Sequence, residues 1–76
     1  MNIADVSPSP VALSLARLPE VQSRVGLSAP TIWRMRRAGT FPQPVQISPG
    51  LVGWVRTEID QWVADRIADR DAKVGR

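Results

Sequence analysis

The chain has no cysteine and no histidine. Without cysteine there is no disulfide, no zinc ribbon and no thiol nucleophile, and a cytosolic compartment fits. Without histidine the commonest metal ligand and general base are gone, so no metal and no cofactor is expected. Long hydrophobic runs are absent too: none approaches the ~20 residues of a membrane span. The start, Met1-Asn2-Ile3-Ala4-Asp5, lacks the basic residues and apolar run of a signal peptide. With 76 residues there is room for one small core.

What is present is arginine. The formal net charge is +3, and it is unevenly spread. Residues 17–56 hold Arg17, Arg24, Arg34, Arg36, Arg37 and Arg56 against Glu20 alone, while the segments on either side are each slightly acidic. Arginine suits bidentate phosphate and guanine contacts better than lysine. The plain alternative is a solvated arginine-rich surface.

Along the chain, Ser7-Pro8-Ser9-Pro10 denies helix and ladder bonds, so residues 1–12 are expected to be a disordered tail. The structured domain is expected over 13–70, with 71–76 frayed. Alternation in the second half of Val11–Leu18 suggests a short strand ending at Leu18. Pro19 and Glu20 then suit a helix start, Val21 and Val25 repeat at helical spacing, and Gly26 ends a helix over about 19–25.

The most informative stretch follows. Ser28 is a good N-cap for a helix over 28–38, Pro30 falls in its tolerant first turn, and Gly39 suits its end. Ile32 and Met35, with Leu27, point to the core. Pro30, Arg34 and Arg37 share the opposite face, flanked by Thr31 and Trp33. An apolar face set against an arginine face is what a groove-reading helix requires. Val45-Gln46-Ile47 and Val52-Gly53-Trp54-Val55 read as strands around the turn Ser48-Pro49-Gly50-Leu51, a small hairpin or wing. Thr57 to Asp60 resembles a capping box, and Ile59, Trp62, Val63 and Ile67 form the apolar stripe of a last helix.

The ordered set Arg17-Leu18-Pro19-x-Val21, Gly26-Leu27-Ser28, Thr31-Ile32-Trp33, Gly39, Phe41-Pro42, Val52-Gly53-Trp54 and Glu58-Ile59-Asp60-x-Trp62-Val63 resembles the AlpA family of small regulators and excisionases of phages and mobile elements. The resemblance covers residues 17 to about 66. It implies a mainly α fold with a small β-hairpin, a winged helix-turn-helix of the MerR/excisionase type. It also implies a function in transcription control or in excision alongside an integrase. Wings of this type commonly carry a basic residue near the tip. Here the tip has none, so any contact there falls to Ser48, backbone N–H groups such as that of Gly50, or apolar atoms.

The candidate DNA-contacting residues are therefore Ser28, Pro30, Thr31, Trp33, Arg34, Arg36 and Arg37, joined by Arg24, Ser48 and Gly50. Bland readings stand beside several of them. Trp33 either packs inward or stacks on a sugar–phosphate. Arg36 either reaches DNA or pairs with Glu20 or an acid of the last helix. Arg24 suits a phosphate or the helix dipole equally. Trp54 and Trp62 are expected in the core. No acid pair faces a cleft, so no carboxylate-dyad enzyme is expected. The partner expected is double-stranded DNA, with self-association on repeated sites because one small module buries only about 600–1,000 Å². The rival reading is a protein-interaction adaptor that docks through its acidic amphipathic C-terminal helix.

Overall fold

The computed structural model describes residues 13–74, so the expected tail over 1–12 lies outside the described residues. Among the described residues six elements run in the order β1 (Leu15–Ala16), α1 (Leu18–Val25), α2 (Ala29–Ala38), β2 (Val45–Ser48), β3 (Leu51–Val55) and α3 (Arg56–Val74). This is the mainly helical, winged-helix-like arrangement with a small antiparallel sheet that the sequence implied.

The first strand is shorter than its alternation suggested. Leu18, expected to end it, already opens α1. Pro19 cannot donate to a ladder but fits the first helical turn without loss, and that decides the boundary. β3 is the central strand of the sheet order β1-β3-β2. Ala16 lies opposite Trp54 on one side, and Val45 lies opposite Gly53 on the other. The β2–β3 register slips between Gln46 and Ser48, which leaves Ile47 as the extra residue of a bulge. Gly53 suits this crowded centre: a Cβ there would lie 3.1 Å from Ile47 Cδ1 and 3.3 Å from the Ala16 carbonyl oxygen. At the wing tip Gly50 takes φ 76°, the left-handed backbone that Pro49-Gly50 turn chemistry asks for.

α3 begins directly after β3, at Arg56, one residue before the expected start. Thr57 therefore lies inside the first turn instead of capping it, and Asp60 sends its carboxylate to Arg24. The helix also runs on through residues 71–74, where fraying was expected.

The core takes one residue from nearly every part of the chain. Ala16, Val21, Ile32, Phe41, Trp54 and Ile59 are buried, and among the described residues no polar or charged side chain is buried with them. β2 contributes nothing, since all four of its residues are exposed. The expectation for Trp54 holds, and that for Trp62 needs correction. Trp62 is only partly buried, with its ring edge-on to Phe41 at 5.0 Å between centroids. Further along the same stripe, Ile67 is 46% exposed, at a shallow cleft shared with Arg24 and Val25 of α1.

Two indoles hold the loop after α2. Trp54 Nε1 donates to the Pro42 carbonyl at 3.0 Å, and Trp62 Nε1 to the Thr40 carbonyl at 2.9 Å. The loop leaves α2 through Gly39, whose φ of 81° allows its own N–H to reach the Arg36 carbonyl while the N–H of Thr40 bonds that of Met35. These bonds satisfy carbonyls that the helix end would otherwise leave open.

Candidate nucleic-acid interface

The arginines crowded into residues 17–56 divide into two groups in the folded chain. Arg56 donates to both oxygens of Glu20, at 2.7 and 2.5 Å. Arg24 bonds Glu20 at 3.0 Å and Asp60 at 2.6 Å. Glu20 thus ties α1 to the start of α3 through Arg56, and Arg24 closes the other side of the same junction. The hydrogen bond from Arg56, helped by Arg24, lowers the Glu20 carboxyl from its ordinary 4.5 to about 2, against the opposing effect of partial burial. The same bond holds Arg56 above its ordinary value.

The second group has no such partner. Among the described arginines, Arg17, Arg34, Arg36 and Arg37 have no carboxylate within ion-pair distance. Arg17 donates to the Val52 carbonyl. The other three all stand on α2. Arg34 and Arg37 are exposed, on the side of the helix away from buried Ile32. Arg34 Nη2 lies 3.4 Å from Thr31 Oγ1, and that hydroxyl is 2.9 Å from Ser28 Oγ. Ser28 Oγ accepts from the Thr31 N–H at 3.4 Å, so the cap expected of Ser28 is made. Pro30 is exposed in the first turn. Ser28, Pro30, Thr31, Arg34 and Arg37 are thereby gathered at one exposed face of α2.

Three candidates stand apart from that face. Trp33 turns inward, its ring centroid 5.4 Å from that of Trp54. Of its two open roles, packing is the one its geometry supports, though the ring it meets is Trp54. Arg36 lies over the Trp33 ring at 5.8 Å, with its Nε buried and unpaired. It meets neither Glu20 nor an acid of α3: Glu20 is already taken by Arg56 and Arg24. Arg24 was a candidate phosphate contact, but its guanidinium is occupied by two carboxylates. At the wing, Ser48 and Gly50 are exposed beside the turn and present no charge.

Sequence reasoning missed the Glu20–Arg56 pair and the second bond of Arg24. Glu20 and Arg24 are i, i+4 neighbours, a spacing that can be seen in advance. Glu20 and Arg56 lie 36 residues apart, and no local pattern points from one to the other. It also missed a groove of about 530 Å³ between the 39–42 loop and α3, walled by Phe41, Pro42 and Trp62. Among the described residues no group of acids is placed to hold a metal ion, and no helix is long and apolar enough to cross a membrane.

Residues 14–67 match the model of the family described as prophage CP4-57 regulatory protein (AlpA). An uncharacterised protein, ORF88 of Enterobacteria phage P4, is 43% identical over 54 residues, covering 71% of this chain and 61% of its own length. This chain thus spans about three fifths of that relative. The DNA-binding transcriptional activator AlpA of Escherichia coli (strain K12) is 33% identical over 61 residues, covering 72% of this chain and 87% of its own length. With the matched segment running from the residue before β1 into the second half of α3, the chain belongs to the AlpA family of prophage regulatory proteins.

Proposed function

We propose that this protein is a sequence-specific DNA-binding regulator of a phage or mobile element, with α2 as its recognition helix in the major groove. The observation that carries the reading is the sorting of the arginines. Where acids are within reach, arginines are neutralised; three of the four left over sit on one helix, and two of those face solvent. A protein gains nothing for folding by leaving such charges together, whereas DNA offers phosphates and guanine edges to both. The similarity to the DNA-binding transcriptional activator AlpA of Escherichia coli supports the same reading.

In this mechanism Arg34 and Arg37 reach base edges or phosphates, and Thr31 stands beside them. The Ser28 cap keeps the start of α2 helical and its first N–H groups oriented toward the backbone. The wing lies alongside the duplex and offers Ser48 and the Gly50 N–H in place of charge. Trp33 and Arg36 position the helix from its inner side. One helix reads only a few base pairs, so several copies bind repeated sites cooperatively. The output is transcription control, or excision through DNA bending beside an integrase. Such a protein works where its DNA is, in the cytoplasm.

The test is a gel shift with fragments flanking the gene, at two salt concentrations. The expected result is a salt-sensitive, stepwise shift with the wild type that is weakened in Arg34→Ala and in Arg37→Ala. Binding that ignores both substitutions would remove α2 from the interface.

A further inference from the structure

The carboxylates sort as the arginines do. Of the six described acids, Glu20, Asp60, Asp69 and Asp71 each pair with an arginine. Glu58 and Asp65 pair with none, and Asp65 accepts only from the amide of Gln61, at 2.8 Å. Both line the groove of about 530 Å³ whose apolar wall is Phe41, Pro42 and Trp62. Arg66, which also borders it, is engaged: it pairs with Asp69 at 2.6 Å and stacks over the Trp62 ring at 5.5 Å. Neither Arg34 nor Arg37 lines the groove.

From this we infer that the groove docks a short basic segment of a partner protein, one with a bulky apolar side chain between two lysines or arginines. The apolar anchor fills the space against Phe41 and Trp62. The cations reach Glu58 and Asp65, which stand seven residues apart on α3, or ~10 Å along its axis. That distance matches two cations at positions i and i+3 of a polyproline II chain, with the apolar anchor at one of the two positions between them, at ~3.1 Å per residue. DNA is disfavoured as the occupant, because two unpaired carboxylates repel phosphate. The loop wall is held by both indole hydrogen bonds, which lowers the ordering cost of docking a partner there. The proposed DNA-binding face and this groove would then work side by side. The groove is where a regulator already on DNA would hold a second protein.

Selection of short random peptides displayed on phage against the intact chain tests this, followed by NMR titration of the Trp62 indole N–H with the enriched peptides. The enriched sequences are expected to carry two basic residues flanking an aliphatic or aromatic one, and to shift the Trp62 resonance saturably. Glu58→Gln with Asp65→Asn, both exposed positions, should weaken those peptides by about tenfold or more while leaving the melting temperature and the gel shift unchanged. Absence of enrichment, enrichment of sequences without the basic pair, equal binding to the double variant, or displacement of the peptide by double-stranded DNA would each overturn the proposal. Failure of the chain to bind DNA would sink the preceding reading and leave the peptide result standing by itself.

Discussion

α2 and α3 are both arginine-bearing helices of one small chain, and they treat the residue in opposite ways. On α3, Arg66 and Arg70 lie beside carboxylates of their own helix, at 2.6 and 2.8 Å, and are thereby solvated surface. On α2 there is no acid at all, and Arg34 and Arg37 remain open. The lesson concerns composition: a count of arginines says little until each has been paired or left over. A net charge is a sum, whereas a binding surface is what that sum leaves unpaired in one place.

The difference can be attacked first through the core. Trp54 is fully buried and supports α2 through Trp33, whereas Trp62 is a groove wall. Trp54→Ala should cost ~3–5 kcal/mol, which is about the whole stability of a domain this size. Circular dichroism is then expected to show an unfolded chain at ambient temperature. Trp62→Ala should cost clearly less and keep a cooperative melt. A reversed order would mean that α3, not α2, rests on the central aromatic.

Charge removal is the next test. Arg34→Ala and Arg37→Ala should each cost ~1–3 kcal/mol of binding to the cognate DNA. Arg66→Ala and Arg70→Ala, which remove arginines already paired, should change it by under about 0.5 kcal/mol. Equal losses from both helices would show that paired and unpaired arginines contribute alike.

Salt sharpens it further. With Arg24 and Arg56 held internally and Arg36 turned inward, Arg34, Arg37 and Arg17 are the cations left for phosphate, so log K should fall with log[salt] at a slope of about −2 to −3. A steeper slope, measured by titration across salt concentrations, would mean that Arg24 and Arg56 exchange their carboxylates for phosphate.

The smallest expected effect belongs to Glu20. Its carboxyl is lowered from 4.5 to about 2 by Arg56 and Arg24. Between those values the unfolded chain holds the extra proton, so acid favours unfolding. The contribution of the pair should be complete above about pH 4.5 and fade as the pH falls through about 2. Thermal melts across that window should show this, and Glu20→Gln should flatten the dependence on this residue. The partly exposed, salt-screened setting keeps the effect modest.

Much of the fold was legible because its signals are local. Pro19 and Ser28 open helices, Gly39 closes one, Pro49-Gly50 turns the wing, and the face of α2 that carries Arg34 and Arg37 follows from a period of 3.6 residues. Each depends on neighbours a few positions away, and propensity and capping act at that range. Thr57 shows the limit of such signals. Its capping pattern was genuine, yet the helix began at Arg56 because β3 delivers the chain straight into it and Arg24 takes Asp60.

The elements, the wing and the exposed arginine pair therefore follow from short-range patterns along the chain. Which charges survive as charges depends on the folded arrangement. Glu20 meets Arg56 across 36 residues, Trp33 meets Trp54, and Trp62 folds onto Phe41 to wall a groove with Glu58 and Asp65 at its rim. Ion pairing and ring packing depend on separation in space, and that separation exists only once distant segments have been brought together around the core.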